Sequence, residues 1–118
     1  MLMKRTEHKN PDGTIGYIES VFNSGNVLKT TYFSKDQRLY IAFNRGHTYS
    51  YSNVSQELYN EFEKGDSQGQ FFHRKFNKNT SYPCRKEFTL YPREVNDLKE
   101  VVKEKLQEIE NDKNEEDE

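Results

Sequence analysis

Between Leu39 and Tyr51 apolar side chains fall on alternate positions. Leu39, Ile41 and Phe43 lie on the way in, Tyr49 and Tyr51 on the way out. A period of two marks a strand with one buried face. Asn44-Arg45-Gly46 between the runs predicts a hairpin turn, with Gly46 supplying the positive φ that a tight reversal favours. Upstream, Val27 to Phe33 is rich in β-branched and aromatic residues and predicts a neighbouring strand. Thr14 to Ser20 alternates more weakly and is assigned to an edge strand. Turns are expected at Asn23 to Asn26 and at Ser34 to Gln37. Residues 1–13 are polar, include Pro-Asp-Gly, and are expected to form a flexible N-terminus.

After Tyr51 the period lengthens. Val54, Leu58, Tyr59 and Phe62 recur at helical intervals, Asn53 with Gln56 has the spacing of a capping box, and Gly65 closes the run. A second short helix is expected from near Ser67, carrying Phe71, Phe72 and Phe76. Asn77 to Pro83 forms a loop, and Lys86 to Tyr91 predicts one more strand. Pro92 suits the first position of a last helix, in which Val95, Leu98, Val102, Leu106 and Ile109 make a narrow apolar stripe over 92–110. The remainder, 111–118, is acidic and is expected to be disordered. The pattern as a whole predicts an α+β fold: a small antiparallel sheet with two short helices on one face, plus an amphipathic C-terminal helix.

Composition narrows this further. Of 118 residues, 31% are hydrophobic and 32% charged, so eight Tyr and eight Phe must supply much of a small core. No apolar run approaches the roughly 18 residues of a membrane-spanning helix, and no apolar leader follows Met1. A lone cysteine, Cys84, permits no internal disulfide, and a cytoplasmic location is the expectation. The net charge of −2 conceals a split: 14 basic and 9 acidic residues through Arg93, then 4 and 11 from Glu94 onward. A basic body carries an acidic end.

An ordered set of short motifs resembles the KTSC domain, a module found at the end of some lysyl-tRNA synthetases and as free-standing bacterial and phage proteins. Ser24, Asn26, Val27 and Tyr32 match its opening. Leu39-x-Ile41-x-Phe43, Gly46 and Tyr49-x-Tyr51 match its hairpin. Val54, Tyr59 and Ser67-x-Gly69-x-Phe71-Phe72 match its helices, and Tyr82-Pro83 with Arg85 its close, so the likeness runs over about residues 24–86. Gly25 and Cys84 depart from the usual Ser and aromatic, and the loop before Tyr82 is slightly longer. The resemblance implies a small α+β domain over 14–91 and, from the synthetase context, RNA as a ligand.

Candidate chemistry concentrates between Phe71 and Lys86. Arg74, Lys75, Lys78, Arg85 and Lys86 occur there without an acidic residue, interleaved with Phe72 and Tyr82. Cations neutralise phosphates and exposed rings stack on unpaired bases. The same segment also suits a short helix whose Phe residues enter the core while its cations face water. Tyr49 and Tyr51 share the parity that faces the core. Ser67-Gln68-Gly69 fits a helix N-cap or a phosphate-cradling turn. No cofactor is expected, no Cys-x-x-Cys spacing suggests a metal, and nothing singles out a nucleophile with its base, so no enzyme is expected. Two functions stay open. One is a non-catalytic module for RNA or single-stranded nucleic acid at Arg74, Lys75, Lys78, Arg85, Lys86, Phe72 and Tyr82. The other is a module binding a protein partner through the terminal helix and acidic tail. No membrane partner is expected.

Overall fold

The computed structural model describes the backbone of residues 1–116 and the side chains of residues 1–112. The elements in order are β1 (Leu2–Lys9), β2 (Ile15–Phe22), β3 (Val27–Phe33), β4 (Arg38–Phe43), β5 (His47–Tyr51), α1 (Gln56–Lys64), α2 (Gln68–Lys75), β6 (Cys84–Thr89) and α3 (Pro92–Glu116). The strands lie in the order β1-β2-β3-β4-β5-β6, each antiparallel to its neighbour. The fold is an α+β meander with α1 and α2 inserted before its last strand.

The central hairpin forms as its pattern predicts, with Leu39 opposite Tyr51 and Ile41 opposite Tyr49. Gly46 turns at φ +96°, and a Cβ there would stand 3.0 Å from Val95 Cγ2 and 3.1 Å from the Leu90 carbonyl. Glycine is thus demanded by conformation and by the close passage of the segment entering α3. On the face beneath α1 and α2, alternation gathers Ile18, Phe22, Tyr32, Leu39, Ile41 and Tyr51. The helices add Tyr59, Phe62, Phe71, Phe72 and Phe76. Tyr32 and Tyr59 stack at 4.4 Å, and Phe62 meets Phe71 edge-on at 5.5 Å. Burying each such ring stabilises the fold by roughly 1.5–3 kcal/mol, so these rings do make the core that so few apolar residues permit. Tyr51 is buried and Tyr49 half-buried, as parity requires.

Four expectations are corrected. The N-terminus is not a flexible segment: residues 2–9 form β1, paired along its length with β2, so β1 is the edge and β2, expected at the edge, lies inside the sheet. The charged residues of β1 misled the reading, because an edge strand tolerates them when they find partners. Arg5 reaches Glu63 of α1 at 2.6 Å, and His8 lies 3.3 Å from Glu19. The N-cap of α1 is Ser55, whose Oγ accepts from the Leu58 amide, while Asn53 takes φ +65° ahead of it. Strand β6 starts at Cys84 rather than Lys86, because Cys84 pairs with Tyr51. Helix α3 continues through Glu116 instead of ending at residue 110. Of the tail expected to be disordered, residues 111–116 are helical and 117–118 lie outside the described residues.

The opposite face of the sheet is covered only in part. Helix α3 packs across β1, β2 and β3, where Met3, Val21, Leu28 and Val95 are buried. The area over β3, β4 and β6 stays open, with Phe88 half-exposed at 51%.

Candidate nucleic-acid interface

The residues singled out between Phe71 and Lys86 divide into three groups. Phe72 is 7% exposed, wedged edge-on against Phe43 at 5.0 Å and Tyr51 at 5.8 Å. It is core and offers no surface for a base, which corrects its assignment as a stacking residue. Helical spacing explains the error: Phe71, Phe72 and Phe76 all fall toward the sheet, so cations occupy the outer face alone.

The second group is exposed to solvent. Arg74 and Lys75 are exposed on the last turn of α2, where positive charge suits the carbonyl end of the helix dipole. The Arg74 guanidinium sits 5.2 Å over the Phe71 ring, which fixes its direction. Lys78 follows in a left-handed turn at φ +58°. Lys86 pairs with Tyr49 and therefore projects on the helix side of β6. Among the described residues none of these four cations is in an ion pair. Lys78 lines a groove of about 480 Å³ together with Tyr82, Pro83, Cys84, Asn77 and Asn79. Tyr82 is half-buried, its ring edge-on to Phe76 at 5.1 Å. The loop holds its shape through its own polar groups: Asn79 Nδ2 donates to the Lys75 carbonyl at 2.9 Å and Asn79 Oδ1 accepts from the Ser81 amide at 3.0 Å. At the groove's edge burial, then the nearby Cys84 thiol, pushes the Tyr51 hydroxyl well above its ordinary pKa, so it stays protonated.

Arg85 stands apart. It pairs with Ser50, one position out of phase with Lys86, and so lies on the opposite face of the sheet. There its Nε contacts Glu87 at 2.8 Å. Hydrogen bonds from Ser50 and Arg85 hold the Glu87 carboxyl below the usual carboxylate range. Ser67 is occupied as the N-cap of α2, its Oγ accepting from the Gln70 amide. A Cβ on Gly69 would meet Asn26 at 3.3 Å, so this glycine serves close packing.

Sequence reasoning missed a row of rings on the open face. His8 stacks on Tyr17 at 4.3 Å, Tyr17 on Phe33 at 5.3 Å, and Phe33 meets Tyr40 edge-on at 5.7 Å. The signal was present, because Tyr17, Phe33 and Tyr40 are each one position out of phase with the core residues Ile18, Tyr32 and Leu39. Among the described residues no three His, Cys, Asp or Glu converge as a metal site, and no helix is long and apolar enough to cross a membrane.

A six-strand meander closing two aromatic-rich helices onto one face defines a small α+β module. The chain belongs to the KTSC domain family, which matches residues 23–82. Its fold is similar to that in the crystal structure of KTSC Domain Protein YPO2434 from Yersinia pestis. That structure is 26% identical, with a TM-score of 0.53 over 59% of this chain and 96% of that chain. Among curated proteins no relative matches. Strands β1, β2 and β6 and helix α3 lie outside the matched segment, and with them His8, Tyr17, Arg85 and Lys86.

Proposed function

We propose that the protein is a non-catalytic module that binds RNA or another single-stranded nucleic acid. One observation carries the reading: Arg74, Lys75, Lys78 and Lys86 are exposed and, among the described residues, in no ion pair, and Lys78 lines a groove that presents the Tyr82 ring. Unpaired cations release counterions from a phosphate chain, and a ring with an open side accepts an unstacked base. The test is a fluorescence anisotropy titration of the whole protein into a labelled single-stranded RNA at low salt. Binding that weakens on Arg74→Ala with Lys75→Ala is expected. No binding, or binding indifferent to that pair of substitutions, refutes the reading.

A second reading, a protein-interaction module using α3, draws on a different feature. An apolar groove of about 670 Å³ lies under the distal half of α3, between Phe22, Leu28, Val102, Leu106 and Ile109, and Leu106 is 36% exposed. Leu106→Asp leaves the buried Val95 anchor in place. It should abolish capture of a protein partner in a pull-down while leaving RNA affinity unchanged if this reading is correct.

A further inference from the structure

The open face of the sheet holds a small corner pocket outside the groove just described. The rings of Phe33, Tyr40 and Phe88 line it together with Thr31, Thr48 and Lys29. Its volume is about 220 Å³, below the roughly 300 Å³ at which pockets begin to take drug-sized molecules. One flat ring system fits that space. Phe33 and Tyr40 stand at 70° to one another, so a planar guest lies flat on one ring and abuts the edge of the other. Phe88, half-exposed, closes the third side.

The surroundings favour a guest carrying negative charge outside its ring. On this face Lys29 is paired to Glu19 at 3.3 Å and Arg85 to Glu87 at 2.8 Å, and Arg38 adds a cation that is in no ion pair among the described residues. Arg38 is held in place by its bond to Ser50 Oγ at 3.0 Å. The face is also continuous with the proposed interface. Strand β6 is the edge of the sheet, and alternation along it turns Lys86 to the helix side and Arg85 to the open side. A chain of phosphates passing over that edge meets Lys86 on the helix side and Arg85, in its pair with Glu87, on the open side.

The geometry points to a second base-binding site: an unpaired nucleobase seated among Phe33, Tyr40 and Phe88, its strand continuing over the β6 edge to the Arg74–Lys86 surface. This rests on the nucleic-acid reading above and adds the course of the strand.

The test uses the full chain and a labelled single-stranded RNA of about 12 nucleotides, a length that spans both sites. Phe88→Ala is expected to weaken binding about tenfold, the loss of one stacked base, and Phe88→Tyr to preserve it. In the unsubstituted protein the Thr31 and Thr48 amide resonances should shift on titration, a readout that needs no variant. The inference is overturned if Phe88→Ala binds as the parent does and those resonances stay still while Arg74→Ala with Lys75→Ala weakens binding. In that case the groove alone is the site. The converse, loss only with Phe88→Ala, sustains the open-face site and removes the proposed groove. Absence of binding by the parent protein overturns both.

Discussion

Removing one oxygen from the middle of the core tests how this fold is held. The Tyr59 hydroxyl lies between Ser20 Oγ at 3.0 Å and Thr30 Oγ1 at 3.1 Å, and both partners are fully buried. In Tyr59→Phe the ring keeps its stack on Tyr32, so little apolar packing is lost. Ser20 retains a long contact to Glu63 at 3.3 Å, whereas Thr30 is left without the hydroxyl it faced. A buried polar group deprived of its partner costs about 1–3 kcal/mol. With two groups affected and one partly compensated, the expected loss is about 2–3 kcal/mol, or a fall in Tm of roughly 8–12 °C for a domain of this size. Urea unfolding followed by circular dichroism at neutral pH measures it. Adding Thr30→Val and Ser20→Ala should recover much of the loss, since replacing every partner removes the unsatisfied groups. The same hydroxyl gives an alkaline signature. Burial raises the Tyr59 pKa above its ordinary value near 10, so folded Tyr59 keeps its proton where the unfolded chain releases it. Stability is therefore full below about pH 10 and declines as pH rises from there toward the folded value, with a gentler decline in Tyr59→Phe. A Tyr59→Phe protein within about 0.5 kcal/mol of the parent would refute the reasoning.

Gly46→Ala should cost about 1–3 kcal/mol, because it strains a positive φ and drives a Cβ against Val95 and a backbone carbonyl. An unchanged denaturation midpoint would contradict that. Phe72→Ala should lower stability by about 3–5 kcal/mol through the cavity it leaves. If it instead weakened RNA binding with stability intact, Phe72 would be a contact residue after all. Hydrogen bonds from the Thr14 hydroxyl and amide lower the Asp12 pKa. Its contribution is present above the unfolded value near 4 and lost as pH falls through the folded one. Asp12→Asn should flatten the stability profile in that acid window, and an identical profile counts against the bond.

Legibility in the sequence followed the strength of period and parity. The β4–β5 hairpin, the helical rings of Phe62, Phe71 and Phe76, and the inward side of Tyr51 all follow from spacing, because each buries a repeating apolar position. Strand β1 was invisible for the opposite reason. Arg5 finds Glu63 and His8 finds Glu19, partners distant in sequence, while Glu7 pairs with Arg5 along the strand. The division of Arg85 from Lys86 was legible in principle, since adjacent strand residues face opposite sides. Recognising it needed the start of β6 at Cys84, which is fixed by pairing with Tyr51. Phe72 failed as a surface residue because three aromatic positions on so short a helix all turn toward the sheet. The acidic end was read from charge alone, and charge does not show that α3 carries on to Glu116.

The salt dependence of affinity for a single-stranded RNA tests the central claim most directly. Four cations in no ion pair among the described residues should displace about four counterions, giving a slope of log K against log salt of about −3. Arg74→Ala with Lys75→Ala should reduce that slope by about 1.4. A flat salt response, or a slope untouched by the two substitutions, would contradict nucleic-acid binding at this surface.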